Sequence, residues 1–160
     1  MALEIERKFL VANDDWRQAV ERRVCIRQGY LNQAKACSVR VRTVENRGWL
    51  NIKSVTNGAQ RHEYEYEIPY ADAEEMLNTL CQGPLIEKVR HFVPYLGYLW
   101  EIDVFEGDNA GLIVAEIELH SPDESFPTPP WLGQEVTEDA RYYNTCLAQN
   151  PYKAWQTATP

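Results

Sequence analysis

Leu3-Glu4-Ile5-Glu6-Arg7-Lys8-Phe9-Leu10 carries two carboxylates and an ammonium at every second position, with Ile5, Arg7 and Phe9 between them. Successive side chains of a strand point to opposite faces, so Glu4, Glu6 and Lys8 share one face. The same spacing returns as Arg40 and Arg42, Glu63, Glu65 and Glu67, Lys88 and Arg90, Glu101 and Asp103, and Glu116 and Glu118. An apolar set alternates with these charges: Val39 and Val41, Leu50 and Ile52, Tyr64, Tyr66 and Ile68, Ile102 and Val104, and Ala115, Ile117 and Leu119. With a further stretch at 25–31, the alternation predicts roughly eight strands.

The connections are short. Asn13 and Asp14 start a short amphipathic helix that ends near Arg22 or Arg23, and Asn46-Arg47-Gly48, Asn57-Gly58 and Pro94–Gly97 mark turns. Asp72 is placed to cap a helix over Ala73–Cys81, with Glu75 in capping-box position and Gly83-Pro84 as its stop. Ser121–Pro130 reads as a loop, and Thr137 as the cap of a last helix that carries Tyr142, Tyr143, Cys146 and Leu147 and ends at Asn150-Pro151. Such a pattern specifies an α+β domain dominated by an antiparallel sheet or barrel, with one domain over 1–150 and a loosely held tail over 151–160.

At 160 residues, with 44% hydrophobic and 25% charged residues, the chain suits one domain with a substantial core. Its formal net charge of -8 argues against nucleic-acid binding through a basic surface, yet leaves room for a basic cavity inside an acidic shell. Cys25, Cys37, Cys81 and Cys146 are irregularly spaced and lack a CxxC pair, which fits buried free thiols in a reducing, cytoplasmic setting. No apolar run is long enough to span a membrane.

Alternation alone fits a twisted sheet with one face on helices and the other in water. The sorting of charge by strand points elsewhere, because whole strand faces carry one sign and neighbouring like charges repel unless opposite charge faces them. A closed barrel with these faces inside would supply that opposition, while its apolar outside would need helices or a second copy of the chain as cover. Inside, Glu4, Glu6, Glu116 and Glu118, with Asp103 beside them, suit one or two Mg²⁺ or Mn²⁺ ions. Lys8, Arg40, Arg42, Lys53, Lys88 and Arg90 suit phosphoryl oxygens. His62 and His91 fall on the apolar parity and His120 at a strand end, so no histidine base is expected inside. The chain contains no nucleotide-binding glycine motif or nucleophile elbow.

The opening L-E-I-E-R-K-F-L resembles the ExExK signature of the CYTH family, the triphosphate tunnel metalloenzymes. The resemblance continues through Q-G-Y-L at 28–31, V-R-V-R at 39–42, N-I-K-S at 51–54, E-Y-E at 63–65, E-K-V-R at 87–90, E-I-D-V-F at 101–105, E-I-E at 116–118 and E-V-T-E-D-A-R-Y-Y-N at 135–144. It implies an eight-stranded antiparallel tunnel with Glu4, Glu6, Asp103, Glu116 and Glu118 on the metal side. Lys8, Arg40, Arg42, Lys53, Lys88 and Arg90 then form the phosphate side, and Glu63 and Glu65 an accessory acidic pair. It further implies catalytic roles for Lys53, Lys8 and Tyr30. Among family activities, the compact chain is most similar to the small bacterial inorganic triphosphatases, which implies metal-dependent cleavage of tripolyphosphate to pyrophosphate and phosphate. A class IV-type adenylate cyclase, a thiamine triphosphatase and a non-catalytic triphosphate or polyphosphate binder stay open as alternatives.

Overall fold

The computed structural model describes residues 3–32, 34, 36–55 and 57–155. Its strands are β1 (Leu3–Val11), β2 (Arg22–Tyr30), β3 (Cys37–Val44), β4 (Arg47–Ser54), β5 (Gln60–Ile68), β6 (Gln82–Tyr95), β7 (Tyr98–Phe105), β8 (Ile113–Glu118) and β9 (Leu132–Glu135). Helices α1 (Tyr70–Thr79), α2 (Asn144–Leu147) and α3 (Tyr152–Trp155) lie outside this sheet.

Alternation and charge sorting are resolved by closure. The strands run antiparallel in the order β5-β4-β3-β2-β6-β7-β8-β1, and β5 returns to β1 through Leu3–His62, Glu4–Arg61 and Ile5–Gln60. The result is a closed eight-stranded barrel, with β9 added outside on β1 through Phe9–Glu135 and Val11–Leu132. The edge of β1 is therefore shared by two strands, and the stretch between them is filled locally. Glu6 N–H donates to the Ala59 carbonyl at 2.9 Å, Val136 N–H to the Lys8 carbonyl at 2.8 Å, and Lys8 N–H to Thr137 Oγ1 at 3.0 Å. Thr137, expected as a helix cap, completes a strand edge instead.

The apolar parity faces outward, where two covers bury much of it and leave Tyr64 and Tyr66 of β5 exposed; a third cover closes one end of the barrel. Ile5, Phe9, Trp100, Ile102, Ala115 and Ile117 pack beneath Trp16, Phe126 and Trp131, so the proline-rich loop acts as a lid on β1, β7 and β8. Ala73 and Leu77 of α1 cover Val41 of β3. At the third cover the inward parity itself turns apolar: Leu10, Ile86, Phe105 and Val114 share faces with Lys8, Lys88, Asp103 and Glu116, yet pack with Leu147 and Ala148 around α2. Full burial of one such side chain contributes roughly 1.5–3 kcal/mol, which is ample to anchor a helix of one turn.

Several local expectations are corrected. The helix after Asp14 is a single 3-10 turn, Asp15–Ala19, because the chain must extend again to pair β2 with β6. The β3–β4 turn is Glu45-Asn46, with Glu45 at φ 54 and Arg47 already paired with Val44. Helix α1 begins directly after Pro69, so Asp72 lies within its first turn, and Gly83-Pro84 belongs to the long β6. The last helix is broken into a 3-10 turn at Ala140–Tyr142 and the short α2. In the expected tail, Tyr152–Trp155 form α3, where Trp155 meets the ring of Tyr142 at 5.2 Å; residues 156–160 lie outside those described. All four cysteines are free, but Cys25 is exposed and the others half-buried. Among the described residues no helix is long and apolar enough to cross a membrane.

Candidate active site

Closing the barrel gathers the charged faces around one cavity of about 230 Å³. Glu4, Glu6, Lys8, Arg40, Arg42, Lys53, Glu63, Glu65, Lys88, Arg90, Glu116 and Glu118 all line it, as the shared parity predicts. Two expected site residues stand apart. Tyr30 lines a side pocket of about 30 Å³ that it shares with Glu6, Lys8, Arg40 and Arg61. Asp103 is inward but fully buried beneath the lining, with Lys88 Nζ at 2.7 Å and Arg90 donating to both its oxygens at 2.8 and 3.0 Å.

The structure adds three lining residues, Arg61, Glu101 and Asn144. Arg61 has the parity of Glu63, and Glu101 that of Asp103, so alternation carried a signal for both. Asn144 reaches in from α2, beyond any strand period. Its side-chain oxygen accepts from Gln28 Nε2 at 2.7 Å and from Lys88 Nζ at 3.1 Å.

Most of these charges are matched in pairs. Lys8 Nζ lies 2.9 Å from Glu116 and 3.1 Å from Glu6, and although burial opposes its charge, those carboxylates hold the ammonium above its ordinary range. Burial likewise opposes Arg90, which Asp103 and Glu101 keep firmly charged. Lys53 Nζ sits 3.1 Å from Glu63 and 3.5 Å from Glu4. Burial, with Arg40 and Arg61 nearby, nonetheless pushes its ammonium down to about 8.

Such matching is missing at Arg40, Arg42, Glu118 and Glu65 among the described residues, and Glu65 accepts only from Asn51 Nδ2 at 2.7 Å. Arg40 and Arg42 point to amides, Nε of Arg40 to Asn51 Oδ1 at 3.4 Å and Nε of Arg42 to Gln28 Oε1 at 2.9 Å. Arg42 is pushed down to about 9 by burial and then by Arg40 and Arg90. Glu118, the register partner of Glu6, has no cation within ion-pair distance, and burial together with Glu4, Glu6, Glu101 and Glu63 pushes its carboxyl up. The cavity thus holds one pole that calls for an anion and another that calls for a cation. Among the described residues no three acids are gathered at metal-ligand spacing, since Glu4, Glu6 and Glu116 each lean on a lysine or arginine.

A model of the CYTH domain matches residues 2–146. The chain belongs to the CYTH family. Within it, the chain is 46% identical over 153 residues to an inorganic triphosphatase of Acetivibrio thermocellus, covering 96% of this chain and 97% of that protein. It is 41% identical over 152 residues to an inorganic triphosphatase of Nitrosomonas europaea, covering 91% and 96%. The crystal structure of the inorganic triphosphatase NE1496 superposes with a TM-score of 0.67 at 37% identity, over 92% of this chain and 95% of that one. The match of this CYTH chain to those relatives thus runs nearly end to end.

Proposed function

We propose that the protein is a metal-dependent inorganic triphosphatase that hydrolyses tripolyphosphate to pyrophosphate and phosphate. The observation that carries this reading is the pair of unmatched poles in one cavity, Arg40 with Arg42 on one side and Glu118 among other acids on the other. A polyanion carrying a bound divalent cation answers both at once. The names of the CYTH relatives support the choice of inorganic triphosphate over an organic one.

In this reading Glu4, Glu6 and Glu118, with Glu116, would hold one or two Mg²⁺ or Mn²⁺ ions, since an all-carboxylate set suits hard cations. The ion would neutralise phosphoryl charge and polarise the bond to be broken. Arg40, Arg42 and Arg90 bind phosphoryl oxygens through their planar forks, and Lys53 and Lys88 add point charge along the chain. Asp103 acts beneath them as the counter-charge that orients Lys88 and Arg90. Lys53 is the group best suited to exchange a proton with the attacking water, because burial pushes its ammonium down to about 8 at a place beside Glu4 and Glu63, whereas Lys88, pushed down to about 7, is held against buried Asp103 at 2.7 Å. Lys8 keeps its charge and, beside Tyr30, fixes the end of the substrate.

The test supplies tripolyphosphate, ATP and thiamine triphosphate separately with Mg²⁺ or Mn²⁺ and resolves the products by chromatography. Pyrophosphate and phosphate from tripolyphosphate, abolished by excess chelator, are expected. Cyclic AMP, or turnover confined to an organic triphosphate, would replace this reading.

A further inference from the structure

Three cavities meet at one side chain. Arg61 lines the chamber of about 230 Å³, the side pocket of about 30 Å³ and an outer hollow of about 580 Å³ whose walls include Tyr30, Ser38, Tyr143 and Thr145. Among the described residues no other borders all three. Its register partner across the seam of the barrel is Glu4, and it reaches both leading acids of β1. Nε donates to Glu4 Oε1 at 3.0 Å, and Nη2 lies 3.7 Å from Glu6 Oε1.

The other cations on these two acids have closer ties elsewhere. Lys8 is 2.9 Å from Glu116 against 3.1 Å from Glu6, and Lys53 is 3.1 Å from Glu63 against 3.5 Å from Glu4. Arg61 has only Glu4 and Glu6 within ion-pair distance among the described residues. Burial opposes its charge, and those acids more than offset the effect. Any further cation that comes to Glu4 and Glu6 therefore competes first with Arg61. The same side chain has room to turn away, into the side pocket it shares with Arg40. Arg40 is directed at neutral Asn51, so two guanidiniums in that pocket would present adjoining forks to one phosphoryl group.

We propose that Arg61 is an exchangeable counter-ion of Glu4 and Glu6: it yields these carboxylates to a divalent cation and, once released, joins Arg40 in binding a phosphoryl group. The proposal rests on the reading of Glu4 and Glu6 as metal ligands. A guanidinium on those oxygens opposes a second cation by occupying them and by like-charge repulsion. Phosphate that draws Arg61 away strengthens metal binding, and by linkage the metal strengthens phosphate binding by the same factor.

Calorimetry with Mg²⁺ and with inorganic phosphate, separately and together, compares the wild type with Arg61→Gln and Arg61→Lys. The glutamine variant is expected to bind Mg²⁺ alone roughly three- to tenfold more tightly than the wild type, whereas loss of a merely structural contact would weaken it. The factor by which saturating Mg²⁺ tightens phosphate binding should shrink to a similar extent. The lysine variant, which keeps the charge, should stay near the wild-type Mg²⁺ affinity. Mg²⁺ affinity that is unchanged or lower in Arg61→Gln overturns the exchange, and tighter Mg²⁺ with undiminished coupling overturns the phosphate contact. A measurement on the wild type stands apart from the folding of the glutamine variant. By NMR, the Arg61 Nε–H, assigned by its absence from Arg61→Lys, should exchange faster with solvent when Mg²⁺ is added, and an unmoved rate overturns the exchange. A wild type that binds no Mg²⁺ rejects the metal reading of Glu4 and Glu6 itself, whereas Mg²⁺ binding indifferent to Arg61→Gln rejects only the role of Arg61.

Discussion

Arg42 and Gln28 face each other across the β2–β3 ladder, and the arginine donates Nε to the glutamine side-chain oxygen at 2.9 Å. A neutral amide orients the guanidinium without cancelling its charge, which is what an anion site requires. Arg42→Ala is expected to lower kcat/KM for tripolyphosphate by about ten- to a hundredfold, the equivalent of one charged hydrogen bond at ~1.5–3 kcal/mol. Arg42→Lys should fall between, since it keeps the charge and loses the fork. Wild-type kinetics in the alanine variant would remove Arg42 from the phosphate contacts.

Lys53 links the site to pH. Burial, Arg40 and Arg61 push its ammonium from an ordinary 10.5 to about 8 in the ligand-free fold, so between those values the unfolded chain binds more protons than the folded one. Stability of the metal-free, ligand-free protein should therefore rise as pH increases through this window, with the cost of the buried charge fully present below it. Urea unfolding of the wild type and of Lys53→Met on both sides of the window checks this: the methionine variant should show a flatter rise. In turnover, Lys53→Ala should depress kcat more than it raises KM, and an unchanged kcat would dismiss the proton-exchange role.

Glu118→Gln separates stability from metal affinity. The carboxylate has no cation within ion-pair distance among the described residues, and burial with Glu4 and Glu6 pushes it up, so its removal should leave the metal-free protein at least as stable as the wild type. Divalent-ion affinity should fall by no less than the ~10-fold that even an outer-shell change produces. Titration calorimetry and thermal unfolding in chelator measure the two halves. A variant that loses stability but keeps metal affinity would show that Glu118 is structural.

Gly133 tests the β1–β9 seam. A Cβ there would lie 2.8 Å from the Leu10 carbonyl oxygen and 3.1 Å from the carbonyl carbons of Leu10 and Val11, all of them backbone. Gly133→Ala should cost about 1–3 kcal/mol, because no side chain can swing aside to make room. The urea midpoint reads this loss, and an unchanged midpoint would mean that β9 is held less tightly than its register suggests.

Much of this site was legible from a period of two, and the exceptions have physical reasons. Parity put Glu4, Glu6, Arg40, Arg42 and Glu116 on one side of the wall, and charge sorting argued that this side was enclosed. Parity reports a face and says nothing of depth: Asp103 is inward yet lies beneath Lys88 and Arg90, while Ile86, on the same face as Lys88, belongs to a dry end of the barrel. Arg61 escaped notice because a lone cation ahead of three glutamates looks like a charge at a turn. Asn144 closes the family-like stretch at 135–144 but was out of reach of parity because it enters from α2, and the helix boundaries shifted where Pro69 and strand pairing outweighed capping signals.

The seam of the barrel also fixes an order of events. β1 is made before the other strands, yet its partners are β5, β8 and β9, of which the last lies at Leu132–Glu135. Contacts of such long sequence separation form late and slowly, since the intervening chain must be ordered before the ring can shut. Until β8 arrives, Lys8 is without Glu116 and Glu6 faces no opposing strand. The charged chamber is therefore absent until the later strands have been made, and it closes late, when the first strand of the barrel is clasped by its last ones.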